Sequence, residues 1–282
     1  MIKLLTNYLL DVRDRQLMAI SLAKGGTAMH ARAIDLTQPG SWEFSGFSQN
    51  GEDGILDVLR NQLFHKNRYF MEIGSSDGVQ NNSSWLAVVH QYNGLMIEGN
   101  SRLVERAKRL IMGQCIGVEC LNMFVNPGNI AKLKSLALHT DPDLFSLDID
   151  GIDYYIAKAI MDGGFRPKIF VVEYNSVYGP DRSVTVPCTN DFVFANAHQT
   201  QLYYGVSIAA WRKFFDQYGY RFVTVDRMGV NAFFVDPSCF NHAFLDGIQS
   251  LDYSENRFQY RKFQMSSDEQ FQLIKDQELV FI

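Results

Sequence analysis

Tyr69-Phe-Met-Glu-Ile-Gly-Ser-Ser-Asp-Gly78 and, after a helix-like stretch over 83–91, Gly94-Leu-Met-Ile-Glu-Gly-Asn100 are the segments that decide the reading of this chain. The apolar run 69–73 reads as a buried strand that ends in a glycine turn, Gly74 to Gly78. A second apolar strand, 94–97, ends on Glu98. Together they make a βαβ unit with glycines at its first turn and an acid at the tip of its second strand. An acid there suits the two hydroxyls of a ribose, and glycine lets backbone lie close to a ligand. The expectation is a nucleoside-containing cofactor.

The turn narrows the choice. A dinucleotide fingerprint places a pyrophosphate against three glycines at a helix N-terminus. Here Ser75 and Ser76 take the middle positions, and Glu72 and Asp77 flank the turn. Two carboxylates would repel a diphosphate and would suit a ligand with an ammonium group and a sulfonium centre. The pattern resembles the first motif of the class I S-adenosylmethionine-dependent methyltransferases, with Glu98 as the ribose-binding acid. The bland alternative is a tight loop in any α/β protein.

The chain has 282 residues, 46% hydrophobic and 20% charged, enough for one large α/β domain with additions. A net charge of −5 argues against a nucleic-acid partner. The four cysteines show no C-x-x-C spacing and read as free thiols in a reducing compartment. Residues 1–24 are apolar but are interrupted by Asp11, Arg13, Asp14 and Arg15. No run approaches the ~20 apolar residues of a membrane span, and no export signal is legible. The expected localisation is cytoplasmic, with the first residues forming an amphipathic helix that packs on the domain, on a second subunit or on a membrane surface.

Downstream, strands and helices alternate. A helix capped by Ser101 is expected to about 112, a third strand over 115–119, a helix over 130–138 and a fourth strand over 144–149. Next come a helix over 154–161 stopped by Gly163-Gly164, a fifth strand over 168–174 and a helix over 207–218. Strands over 220–225 and 230–235 flank a short turn and read as a hairpin. This is an α/β, Rossmann-like layout: a mostly parallel seven-stranded sheet whose last strand is antiparallel. Ligands in such sheets lie beyond the carboxyl ends of the strands.

Those ends are acidic. The fourth strand leads into Asp148-Ile-Asp150-Gly-Ile-Asp153, and the fifth ends in Glu173-Tyr-Asn175. Carboxylates at the edge of an apolar core are costly unless paired or metal-bound. Oxygen clusters of this kind suit Mg²⁺, Mn²⁺ or Ca²⁺, and neighbouring carboxylates raise one another's pKa, which favours a general base. Asp148, Asp150 and Glu173 are the candidate metal ligands. With Asn175 as a neutral oxygen donor, they are also the candidate catalytic set. The plainer reading is that Asp153 caps the next helix and Asp150 faces solvent.

Several motifs together resemble the FkbM-related methyltransferases, a bacterial group often associated with glycan biosynthesis. They are Phe47-Ser-Gln-Asn-Gly-Glu-Asp-Gly-Ile-Leu56, Phe70-Met-Glu-Ile-Gly74, Leu95-Met-Ile-Glu-Gly99, Phe145 to Tyr154, Val171-Val-Glu-Tyr-Asn175 and Asn231-Ala-Phe-Phe-Val235. They occur in this order and span roughly residues 45–236. The family's fourth-strand motif usually reads I-D-V-E-G, from which Asp148-Ile-Asp-Gly151 departs by Asp for Glu. The resemblance implies O-methylation of a hydroxyl, commonly on a sugar, and a helix after Gln49 that covers the cofactor. Asn50 and Asp53 form an acceptable capping pair for that helix.

The candidate cofactor-binding set is therefore Gln49, Glu72, Gly74, Ser76, Asp77, Gly78, Asn82, Ser83, Glu98 and Asp148, for S-adenosyl-L-methionine. Asn82 and Ser83 could equally cap the following helix. The irregular stretch 174–204 holds Tyr178, Tyr203 and Tyr204 for stacking on a sugar and Arg182 for an anionic acceptor. Phe258, Tyr260, Phe263 and Phe271 read as core. The expected organisation is an N-terminal helical extension (1–44), a methyltransferase domain (45–238) and a C-terminal extension (239–282). Either extension is a candidate surface for a homo-oligomer. The expected partner is a small-molecule or glycan acceptor. The alternative is a non-methylating protein of the same fold: a nucleotide-sugar-using transferase or a cofactor-binding partner protein.

Overall fold

The computed structural model describes residues 2–189 and 192–282. Its centre is a seven-stranded sheet built from β1 (Tyr69–Ile73), β2 (Asn93–Glu98), β3 (Val118–Asn122), β4 (Leu144–Leu147), β5 (Ile169–Glu173), β6 (Arg221–Val225) and β7 (Asn231–Val235). The spatial order is β3-β2-β1-β4-β5-β7-β6. The first five strands run parallel, and β7 inserts antiparallel between β5 and β6. This is the Rossmann-like arrangement expected from the sequence.

β1, β4 and β5 are buried along their whole length, as strands covered on both faces must be, and are apolar but for Glu72, Ser146 and the terminal Glu173. Alternate side chains enter two separate cores. Met71, Ile73, Phe145, Leu147 and Phe170 join Ile156, Ile160, Trp211 and Phe214 of α6 (Asp153–Asp162) and α7 (Ile208–Gln217) on one face. Phe70, Leu144, Ile169, Val171 and Phe233 meet Ile55 and Leu59 of α2 (Glu52–Gln62) on the other. The second core also takes Trp85 of α3 (Ser84–Val88) and Val104 of α4 (Ser101–Ala107). A one-residue slip in any strand would exchange these two sets. The remaining long helices are α1 (Ile2–Ala31) and α5 (Ile130–Leu136). No helix among the described residues is long and apolar enough to cross a membrane.

Several local expectations are corrected. The third strand begins at Val118, later than 115, because α4 runs on through a π-turn, 108–112, and the Cys115 amide bonds the Ile111 carbonyl. Asn100, rather than Ser101, caps α4 by accepting from the Arg102 amide. The helix after the glycine turn shrinks to α3. Asn50 and Asp53 do not form a capping pair. Gly51 occupies the N-cap with φ +102°, and the Asp53 carboxylate accepts from the amides of Gly46, Phe47 and Ser48. The stretch 174–204 is partly ordered by a two-residue strand, 184–185, that pairs with 280–281.

Candidate functional site

The carboxyl ends of β1, β2, β4, β5 and the start of β7 open onto two adjoining cavities. The first, of about 410 Å³, lies over β1 and β2 and is lined by Glu98, Leu103, Met123, Phe124, Val125, Phe192 and the turn residues Gly74 and Ser76. The second, of about 310 Å³, lies over β4, β5 and β7 and is lined by Asn50, Glu52, Glu72, Asn82, Glu173, Asn231 and Phe258. Gln49, Gly74, Gln80, Asp148 and Asp150 border both. No Lys, Arg or His lines either cavity among the described residues.

Glu98 is held in place by two backbone donors, the Ser76 amide at 3.1 Å and the Asn100 amide at 2.8 Å. Each carboxylate oxygen keeps a free lone pair, as a vicinal diol requires. Ser76 reaches this geometry through a left-handed backbone, φ +50°, which is costly for a residue with a Cβ and marks a constrained loop. The apolar wall of Met123, Phe124 and Val125, just past β3, was missed in the sequence because three apolar residues in a loop carry no periodic signal.

The glycines serve the protein more than the ligand. A Cβ on Gly74, φ +85°, would stand 1.6 Å from the Asp148 carbonyl oxygen. The turn after β1 is thus locked against the end of β4. A Cβ on Gly78, φ +77°, would press on Ile111 and Ala107. Gly78 therefore packs against α4 and is corrected from the cofactor-binding set. Asp77 is corrected too: it pairs with Arg106 at 2.7 Å and lines neither cavity. Ser83 is fully buried and spends its hydroxyl on Glu72. Asn82 splits its roles, with its amide N–H on Glu72 at 2.8 Å and its side chain on the Ser146 hydroxyl at 3.0 Å. Glu72 lines the second cavity while accepting from Asn82 and Ser83. Burial raises its pKa to about 7, against those hydrogen bonds. With Asp77 paired outside the cavities, the acids that line the cleft are Glu52, Glu72, Glu98, Asp148, Asp150 and Glu173.

Those tips converge. Carboxylate oxygens of Asp148, Asp150 and Glu173 lie within 4.8 Å of one another, a spacing at which one cation could touch all three. Burial, then the charges of Asp150, Asp153 and Glu72, push the Asp148 pKa well up. Glu173 is raised by burial and by Asp148 and Asp150. Asp150 stands at the mouth with φ +52°, its pKa pushed up to about 6 by burial and by Asp153. Asp153 itself is buried and fastens the turn by accepting from the amides of Ile149 and Gly151.

Asn175 is corrected from the catalytic set. It is buried and lines neither cavity; its NH₂ donates to the carbonyls of Leu202 and Tyr204, and its Oδ1 accepts from the Val177 amide. Arg182 is likewise engaged with Asp268 at 3.0 Å and stacked over Phe271, away from both cavities. Tyr178 is fully buried, and the Tyr203 hydroxyl is bonded to the Glu278 carbonyl. Tyr204 instead reaches Glu173, its hydroxyl 3.4 Å from Oε1. Phe258 is half exposed on the wall of the second cavity rather than in the core. Gln49 bonds Gln80 at 3.3 Å across the ridge between the cavities.

A comparison with models of known protein families finds no match, and a comparison with curated proteins finds none. Among solved structures, the chain is similar to the O-methyltransferase TomG from Streptomyces achromogenes, involved in tomaymycin synthesis, in complex with S-adenosylmethionine. The identity is 19%, over 76% of this chain and 87% of that one, with a TM-score of 0.39. It is similar to an S-adenosylmethionine-dependent methyltransferase from Geobacter sulfurreducens in complex with S-adenosyl-L-homocysteine, at 14% identity, 70% of each chain and a TM-score of 0.39. It is also similar to the fibrillarin pre-rRNA processing protein of Methanococcus jannaschii, at 10% identity, 66% and 73% coverage and a TM-score of 0.40. Similarities at this level say nothing of the activity or the acceptor of the present chain.

Proposed function

We propose that this protein is an S-adenosylmethionine-dependent O-methyltransferase acting on a hydroxyl of a sugar or glycan-related acceptor. One observation carries the reading: a nucleoside-sized cavity with a ribose-competent acid opens, across Asp148 and Asp150, into a second cavity walled by carboxylates. The FkbM-type motifs of the sequence point the same way. A volume of about 410 Å³ is in the range of small-molecule sites. Glu98 would hold the ribose hydroxyls, Met123, Phe124 and Val125 would cover the base, and Gln49 would close over the methionine end. When bound, the cofactor supplies an electrophilic methyl group on a positively charged sulfur. Neither cavity has a Lys, Arg or His in its lining among the described residues to pair with a diphosphate, which disfavours a nucleotide-sugar donor.

Asp148 and Glu173 are placed to orient the acceptor hydroxyl and to take its proton. Their raised affinity for protons brings them nearer the working range of a general base than an ordinary carboxylate. Tyr204 would steady Glu173 through its hydroxyl. A divalent cation, Mg²⁺ or Mn²⁺, could be held by Asp148, Asp150 and Glu173, where it would lower the pKa of the acceptor hydroxyl.

The test is transfer of radiolabelled methyl from S-adenosylmethionine to a panel of mono- and oligosaccharides, in chelator and with added Mg²⁺ or Mn²⁺. Transfer to a saccharide is expected. Dependence on the added ion supports the metal role, and full activity in chelator leaves the three acids as a metal-free base and orienting set. No transfer to any hydroxylated acceptor, by protein that binds S-adenosylhomocysteine, would contradict the reading.

A further inference from the structure

The second cavity has a hydrogen-bonding polarity of its own, carried by residues outside the acid cluster. Asn50 and Asn231 reach it from opposite sides, one from the loop before α2 and one from the first residue of β7. Both donate their side-chain NH₂ to the same oxygen of Glu52, at 2.9 and 2.7 Å. The two amides therefore meet at a single carboxylate oxygen. Neither Asn50 Oδ1 nor Asn231 Oδ1 has a hydrogen-bond partner, although the residues are only 8% and 3% exposed. A buried acceptor left without a donor is costly, so a pair of them beside a carboxylate marks a place where a donor is expected.

No other side chain of the wall is bonded to them. The NH₂ of Asn81 is on the Ser75 carbonyl, and that of Asn82 is on Ser146. No Lys, Arg or His lines the cavity among the described residues. An anionic acceptor, such as a uronate or a phosphorylated sugar, would meet the five acids Glu52, Glu72, Asp148, Asp150 and Glu173, with side-chain amides but no cation to offset them. A group with three donors and a positive charge matches two carbonyl oxygens and one carboxylate.

We propose that the acceptor carries a protonated primary amine, an aminosugar or aminocyclitol in chemical class, seated against Asn50 Oδ1, Asn231 Oδ1 and Glu52. The inference rests on the methyltransferase reading above, because it takes the second cavity as the acceptor's. Glu173 and Asn231 are register partners across β5 and β7, so an amine held at Asn231 places the neighbouring ring positions at the Asp148–Glu173 pair. Phe258 offers an apolar surface for a ring face on the same wall.

The experiment is saturation-transfer NMR on the full chain with S-adenosylhomocysteine present, using glucosamine, N-acetylglucosamine and glucuronate as probes. Glucosamine is expected to bind at least tenfold more tightly than either of the others. Asn50→Ala, in the loop before α2, is expected to cut that preference at least threefold, and Glu52→Gln to do the same. Equal or tighter binding of N-acetylglucosamine or glucuronate overturns the proposal, as does an absence of glucosamine binding by protein that retains S-adenosylhomocysteine. If Glu52→Gln weakens S-adenosylhomocysteine tenfold while the sugar preference stays intact, the group belongs to the cofactor's own ammonium and the proposal also falls. Failure of the wild-type chain to bind S-adenosylhomocysteine at all counts instead against the underlying methyltransferase reading.

Discussion

Two aspartates bracket β4, and they live in opposite electrostatic worlds. Asp143, at the amino end, is fully buried, yet it is paired with Lys168 at 2.7 Å and accepts from the amides of Asn67 and Arg68. Nearby on the same side of the fold, Asp57 touches Arg32, Arg60 and His90. At the carboxyl end, Asp148 meets Asp150 and Glu173 and no cation. The same residue type, four strand residues away, is satisfied at one end and left in mutual repulsion at the other. Buried charge that is paired serves the fold; charge that repels at the rim of a cavity is tolerated where something else must bind.

This contrast can be broken at either end. Asp148→Asn should lower methyl transfer by about 10²–10⁴-fold, the usual range for loss of a general base. The variant should still fold, and its midpoint of thermal unfolding at neutral pH should stay level or rise by a few degrees, because one member of a repelling set has gone. Activity and calorimetry on the same preparation check both halves. A stability loss as large as the activity loss would make Asp148 a structural acid like Asp143.

Asp143→Asn should do the reverse. It leaves Lys168 buried without its partner, which costs about 3–5 kcal/mol. Urea unfolding should show that loss, while S-adenosylhomocysteine binding by the folded fraction should be unchanged. Glu98→Ala comes next in size. It should weaken S-adenosylhomocysteine by about 1.5–3 kcal/mol, the range for a charged hydrogen bond, with little effect on stability.

The smallest effect is the one that compares the two ends directly. Asp150 has its pKa pushed up to about 6, and Glu72 and Asp53, both raised chiefly by burial, to about 7. A carboxyl whose pKa is higher in the folded state binds its proton more tightly there, so its stabilising contribution is present below pH 4 and is lost as pH rises towards 7. Asp57 has the opposite sign: burial works to raise it, but His90, Arg60 and Arg32 hold its pKa down to about 2. Its contribution is present above pH 4 and is lost as pH falls towards 2. A pH series of unfolding midpoints on the ligand-free protein should fall between pH 5 and 7.5 and fall less steeply in Asp150→Asn, while Asp57→Asn should lower the midpoints above pH 4 and flatten the acid limb.

Much of the architecture was legible because it is written in periodicity. Mostly apolar runs mark β1, β4 and β5, and the acids at or near their ends mark the side where ligands gather. The convergence of Asp148, Asp150 and Glu173 follows from strand order, since β4 and β5 are neighbours. What the sequence could not disclose is which polar group is already occupied. Asn175 sits at a strand tip, as a ligand would, yet three backbone partners consume it. Asp77 flanks the glycine turn, but Arg106, from α4, claims it. Asn231 and Glu52 are 179 positions apart and meet only because β7 inserts beside β5. Such pairings are long-range and leave no local pattern.

The account stands most directly on what the cavity over β1 and β2 receives. A calorimetric titration of the full chain with S-adenosylhomocysteine, set beside one with a uridine-diphosphate sugar, tests it. One S-adenosylhomocysteine per chain, with no heat from the nucleotide sugar, is the expected result. Binding of the nucleotide sugar with none of S-adenosylhomocysteine would contradict the account and make the fold the scaffold of a different transferase.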